Sequence, residues 1–391
     1  MLEVITTTLM LSCGQVVDHR LIVKKGGSII GEQGCTVPPT VNILRRDPGC
    51  KPKYVYGAHE AREPDVDWYR DWDGSPFPAG AKIVGNNVSY WITAWTPPEI
   101  PEFPPRIGMS WFAAGLPEYY NRTDEWYWDG TQVVADESVT WTCDVNAIEV
   151  EPDVNNAEIA NVRVIGGPIV IHGQHAHIHD VEVANANFGI AFSRPDKVID
   201  AVIERAYVHD VLKGGILVWG NKAEVKQSTV TNVGDPWDFS ATWPGIRVGR
   251  DSKVLNNVVT NVGKDGIFAL YGSEVAWNTV SRYCTVIGDA GGIYMTGQGG
   301  GVPDRVYVHN NLVEHGHGFH DYIVGYTNCA GLYADTGMKN VVGYANTIID
   351  VDTGVHINKS FNNMFFMNTC TNCANMDTSA HNSSKNIVEW K

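Results

Sequence analysis

The chain has 391 residues, of which 43% are hydrophobic and 19% charged, and a formal net charge of −15. That balance supplies a large core and argues against a basic surface for nucleic acid or anionic membrane. No apolar run approaches the roughly 18 residues of a membrane span.

Leu9-Met10-Leu11-Ser12-Cys13 has the look of a lipoprotein cleavage site, yet no basic residue precedes it and Thr6-Thr7-Thr8 breaks the apolar run, so it reads as a strand. Further strand-like fragments occur at Val4-Thr8, Leu21-Val23 and Ser28-Ile30. Residues 1–150 hold eight of the 13 tryptophans and most of the prolines, and Asp65–Trp141 reads as long irregular loops. This part is expected to form an aromatic-rich N-terminal cap and loop-rich lobe over the open end of a repetitive C-terminal part. The eight cysteines leave free thiols and one or two bridges equally open, and Cys370-Thr-Asn-Cys373 lacks the second pair of a zinc ribbon.

Regular coils are expected over 151–375, with a polar tail at 376–391. Their mark is a glycine-led phrase written seven times between Phe188 and Lys359: Gly189-Ile190, Gly215-Ile216, Gly245-Ile246, Gly266-Ile267, Gly292-Ile293, Gly331-Leu332 and Gly354-Val355, each continued by two alternating residues. The glycines lie 26, 30, 21, 26, 39 and 23 residues apart. Ser228, Asn257, Asn278, Asn311, Asn346 and Asn368 interleave with them in otherwise apolar settings. Period-2 alternation within a repeat of 20 to 50 residues predicts stacked strands. With an asparagine at a similar place in each turn, the expected fold is all-β, a right-handed parallel β-helix of roughly ten coils. Stacked at about 4.8 Å, such asparagines hydrogen-bond above and below.

The third residue of each phrase points outward, which aligns Ala191, Leu217, Arg247, Phe268, Tyr294, Tyr333 and His356 in one column. Two residues on, Trp219, Thr296, Asp335 and Asn358 form a second. Aromatic faces with ionisable neighbours suit a sugar-binding groove. Long connections at Thr231–Pro244, Val280–Gly291 and Leu312–Ala330 are placed to wall it, carrying Trp237, Asp289, Glu314, His315, His317 and His320. Cleaving a glycosidic bond takes two carboxyl groups roughly 5 to 9.5 Å apart. Asp289, Glu314 and Asp335 fall on adjacent coils and are the catalytic candidates; Trp237, Arg247, Tyr294, Tyr333, His356 and His320 are the substrate-binding candidates. His175-Ala-His177-Ile-His179 sets imidazoles along one strand, but no carboxylate ligand is evident beside them, so no metal or cofactor is assigned.

Gly288-Asp289-Ala290-Gly291-Gly292-Ile293-Tyr294 and Gly331-Leu332-Tyr333-Ala334-Asp335-Thr336-Gly337 resemble the repeats of right-handed parallel β-helix proteins, among them β-helix glycoside hydrolases and phage tailspike depolymerases. By that resemblance Asp289 and Asp335 match acidic positions of the hydrolase cleft. Thr336 stands where those hydrolases carry a second Asp, and Ala290 interrupts the first phrase. The resemblance implies a polysaccharide-degrading enzyme, extracellular or virion-associated, with a glycan as partner and a homotrimer as the tailspike-like assembly. The alternatives are a non-catalytic glycan-binding or structural surface protein and a polysaccharide lyase using Arg247.

Overall fold

The structure is a computed structural model. It describes residues 2–44, 146–193, 199–234, 243–285, 288–297, 305–318, 329–380 and 383–391, and eight short strands between 45 and 145. Its main body is a single parallel sheet system of 32 strands wound as a β-helix.

Each coil visits three faces. In one coil Ile246–Arg247 lies on the first face, Lys253–Leu255 on the second and Val258–Val262 on the third, before the chain returns to the first at Ile267–Ala269. Every strand pairs in parallel with its counterparts one coil away. The strands alternate because one set of side chains fills the lumen: Ile246, Ile267, Ile293 and Leu332 from the first face, Val254, Val275 and Val308 from the second, Val259, Val280 and Val313 from the third, all fully buried. Columns of identical or similar aliphatic residues stack without changing volume, which suits the dense packing of an interior.

The phrase glycines have a steric cause. A methyl group on Gly266 would sit 2.3 Å from Val280 Cγ1 and 2.7 Å from the carbonyl oxygen of Gly292 in the next coil. The first and third faces converge there, and only a residue without Cβ fits.

The corners are made by left-handed residues. Gln227, Asn256, Trp277, Asn310, Ala345 and Met367 have φ between 51° and 57°, and each directly precedes a Ser or Asn of the interleaved phrase. The bend turns that next residue into the lumen corner between the second and third faces. There the asparagines form the expected ladder: Asn257, Asn278, Asn311 and Asn346 each donate from Nδ2 to Oδ1 of the next at 2.9 to 3.0 Å. Each Oδ1 also accepts a backbone N–H from the coil before, as Asn346 Oδ1 does from Asn311.

Twelve second-face strands stack in parallel from Thr8–Leu11 to Ile387–Trp390, with one register shift, between Phe366 and Asn368, in the last pairing. The stack thus begins before residue 150 and ends after residue 375. Residues 2–44 supply its first coils, their strands pairing directly with those after 146, and 376–391 close the last. The lobe between 45 and 145 holds strands where the sequence suggests loops, including an antiparallel sheet of Lys82–Asn87, Trp91–Trp95 and Trp111–Ala114. Disulfides join Cys13 to Cys35, Cys284 to Cys329 and Cys370 to Cys373, and no described cysteine is free.

Candidate active site

The first face carries the outward column in register. Leu217 pairs with Arg247, Arg247 with Phe268, Phe268 with Tyr294, Tyr294 with Tyr333, Tyr333 with His356 and His356 with Thr378. Their rings touch in sequence. Phe268 stacks on Tyr294 at 5.3 Å, Tyr294 meets Tyr333 edge-on at 4.9 Å, and Tyr333 meets His356 at 4.6 Å. Thr296 stands beside Asp335 in the second column.

Two carboxylates terminate this wall, one on each side. The Tyr333 hydroxyl donates to Asp289 Oδ1 at 3.0 Å. The Tyr294 hydroxyl donates to Asp335 Oδ2. Asp335 also accepts from Thr336 Oγ1 at 3.0 Å and from Asn358 Nδ2 at 2.8 Å. Crossing tyrosines thereby connect an acid at the entry of one strand to an acid at the exit of the next. Asp289 is half-buried, whereas Asp335 is only 1% exposed. Tyr294 and Tyr333 are 5% and 1% exposed and form, with Ala330 and Phe268, an apolar cluster outside the lumen. Tyr294, Tyr333 and His356 are therefore covered rather than displayed, because rings in adjacent coils bury one another, while Arg247 and Phe268 keep part of their surface.

Arg247 is held flat. Its Cζ lies 3.9 Å from the Trp219 ring centroid and 4.2 Å from that of Phe268, and Trp219 meets Trp243 edge-on at 4.9 Å. Burial lowers the guanidinium to about 10, partly offset by Asp265.

Asp265 is a site residue that sequence reasoning missed. It is 1% exposed, its Oδ1 accepts the Gly291 N–H at 3.0 Å, and burial raises its carboxyl to about 6, with the charge of Asp289 acting the same way. A signal existed. Asp265 directly precedes a phrase glycine, a place held elsewhere by Phe188, Gly214, Pro244, Gly291, Ala330 and Thr353.

The remaining candidates are placed apart or not described. Glu314 stands on the third face, paired with Ser281 and Ile349, so adjacency of coils does not bring it to the wall. Trp237 and His320 lie outside the described residues. His315 and His317 are on or just beyond a third-face strand, bound to Asp350 and Asp352. On the second face the structure adds the carboxylates absent from the sequence pattern: His179 Nε2 lies 2.9 Å from Glu158, and His177 Nε2 lies 3.1 Å from Glu204. Glu158, His177 and His179 bring three potential ligand atoms within 4.8 Å of one another, a group that can hold a divalent ion.

Comparison with known proteins agrees with this architecture. Residues 146–313 match the family model described as a right handed beta helix region. The chain has the right-handed parallel β-helix fold. No curated protein matches the sequence. Among solved structures, a glycoside hydrolase is similar over 94% of this chain and 89% of its own, with 12% identity and a TM-score of 0.65. The Dettilon tailspike protein is similar over 64% of this chain and 57% of its own, with 16% identity and a TM-score of 0.38. An alginate lyase from Paenibacillus sp. is similar over 62% of this chain and 90% of its own, with 11% identity and a TM-score of 0.39. At these identities the likeness is one of fold.

Proposed function

We propose that the protein hydrolyses glycosidic bonds in a polysaccharide bound along the first face, with Asp289 and Asp335 as its acidic pair. The observation that carries this reading is the connected wall: rings suited to sugar faces run from Phe268 to His356, and two of their hydroxyls end on the two carboxylates. Hydrolysis takes one carboxyl group to protonate the leaving oxygen and a second to attack the anomeric carbon or activate water. Asp289, half-buried at the rim, would serve as the acid that protonates the leaving oxygen. Asp335, its oxygens fixed by three donors, takes the second role. Since Asp335 and both tyrosines are covered, the reading requires the wall to open as the glycan enters. Arg247, Tyr294, Tyr333 and His356 would line the bound chain, while Glu314 stands outside the pair. The disulfides favour an oxidising compartment, in keeping with an extracellular or virion-surface place.

The test is incubation with a polysaccharide panel. New reducing ends without new ultraviolet absorbance are expected. Absorbance from an unsaturated product would indicate elimination instead, and neither signal would favour a glycan-binding surface protein. Asp289→Asn and Asp335→Asn are each expected to lower kcat by 100-fold or more; unchanged activity in both would reject the pair.

A further inference from the structure

Among the described residues, Arg247 is a half-buried cation that forms no ion pair, and its buried Nε has no hydrogen-bond acceptor. Leaving a charge so desolvated is costly unless something neutralises it. Asp265 is the carboxylate whose field reaches Arg247, yet it does not close on the guanidinium: its hydrogen bond goes to the Gly291 N–H. Burial, rather than the pull of Arg247, dominates the environment of Asp265. The two charges therefore offset one another only in part and form no contact pair.

The shape of the slot narrows what completes it. Trp219 from the coil before and Phe268 from the coil after cover the two faces of the guanidinium at 3.9 and 4.2 Å. With both faces occupied, only the in-plane N–H donors can address a ligand. A guanidinium edge pairs bidentately with two oxygens of one anion, as in a carboxylate. The slot continues directly into the ring column, since Arg247 pairs with Phe268 and Phe268 with Tyr294. A sugar bearing a carboxylate at Arg247 would thus have its neighbours over Phe268 and Tyr294.

We infer that Arg247, clamped between Trp219 and Phe268, is a subsite for the carboxylate of a uronic acid residue, so that the substrate is an acidic polysaccharide. This rests on the reading of the first face as a glycan cleft and adds the substrate class to it. The net charge of −15 works against a polyanion at long range. At physiological ionic strength that repulsion is screened within about 8 Å, whereas a carboxylate in the slot meets Arg247 at contact.

Calorimetric titration of the full chain carrying Asp289→Asn tests the inference. The ligands are trimers of galacturonate, glucuronate and mannuronate, each beside its carboxyl-reduced neutral twin, and one sulfated neutral trimer. At least one uronate trimer is expected to bind tenfold or more tightly than its twin. Adding Arg247→Met should bring that pair within twofold, and Arg247→Lys should keep part of the preference, with unchanged thermal unfolding as the check on folding. Equal binding of every acidic and neutral pair overturns the inference without needing any Arg247 variant. So does a preference that survives Arg247→Met, or tighter binding of the sulfated trimer than of any uronate. Cleavage of neutral polysaccharides alone would leave the hydrolase reading standing and remove this one. Uronate binding that depends on Arg247, without cleavage of any polymer, would do the reverse.

Discussion

At the scale of single residues, the candidate site brings together acids with different surroundings. Asp265 is the clearest case, because its carboxyl is raised to about 6 by burial. A carboxyl with a raised folded value binds its proton more tightly when folded, so its ionisation costs stability as pH rises from the unfolded value of about 4 to about 6. The loss is on the order of 3 kcal/mol across that window and is complete above it. Asp265→Asn removes the titration while keeping an oxygen for the Gly291 N–H. We predict that thermal melts of the variant gain on those of the unaltered protein between pH 4 and 7; a gain of the same size at both ends would show that Asp265 does not titrate there. The site was only partly legible from sequence. Asp289 and Asp335 stood out because each flanks a phrase carrying Tyr294 or Tyr333. Asp265 was hidden because it precedes its phrase glycine, whereas the outward columns start two residues after that glycine. Glu314 misled because coil adjacency was visible but the face was not.

At the scale of elements, the ladder and the glycine column hold the faces in register. Asn311→Ala would strip the acceptor from the Asn278 Nδ2 and backbone N–H and leave Asn346 Oδ1 short of a donor, all in buried positions. Unsatisfied buried groups cost about 1 to 3 kcal/mol each, so a destabilisation of about 3 kcal/mol is expected in denaturant melts; less than 1 kcal/mol would contradict the ladder's role. Gly266→Ala should be similarly harmful, since its methyl meets Val280 and the backbone of the next coil. The buried Cys284–Cys329 bridge spans 45 residues and joins the connection carrying Asp289 to the strand after the next long connection. Closing a loop of that length is worth roughly 4 kcal/mol. Replacing both cysteines by serine should lower the melting temperature, and unchanged melting would show that the bridge is dispensable. The ladder and the phrases were legible because they repeat. The left-handed corners were not, because Trp277, Ala345 and Met367 occupy positions where the sequence gives no Gly or Asn to announce a bend.

At the scale of the whole molecule, the helix runs from residue 2 to residue 390, with a lobe inserted after its first coils. That extent escaped the repeat spacing for a physical reason. The first coils lack the glycine-led phrase, and about a hundred residues separate Thr40–Asn42 from the strand Ile148–Val150. The final coil hides in polar, exposed sequence whose strands pair on one side only. Stacking is what turns residues far apart in number into one surface, and the first face is where rings, a clamped guanidinium and two carboxylates meet. The most direct test of that surface is a crystal structure of the Asp289→Asn protein with an oligosaccharide that the unaltered protein cleaves. The account predicts the sugar chain along Arg247, Phe268, Tyr294 and Tyr333 with a glycosidic oxygen beside position 289; a chain bound on the second or third face, away from that column, would contradict it.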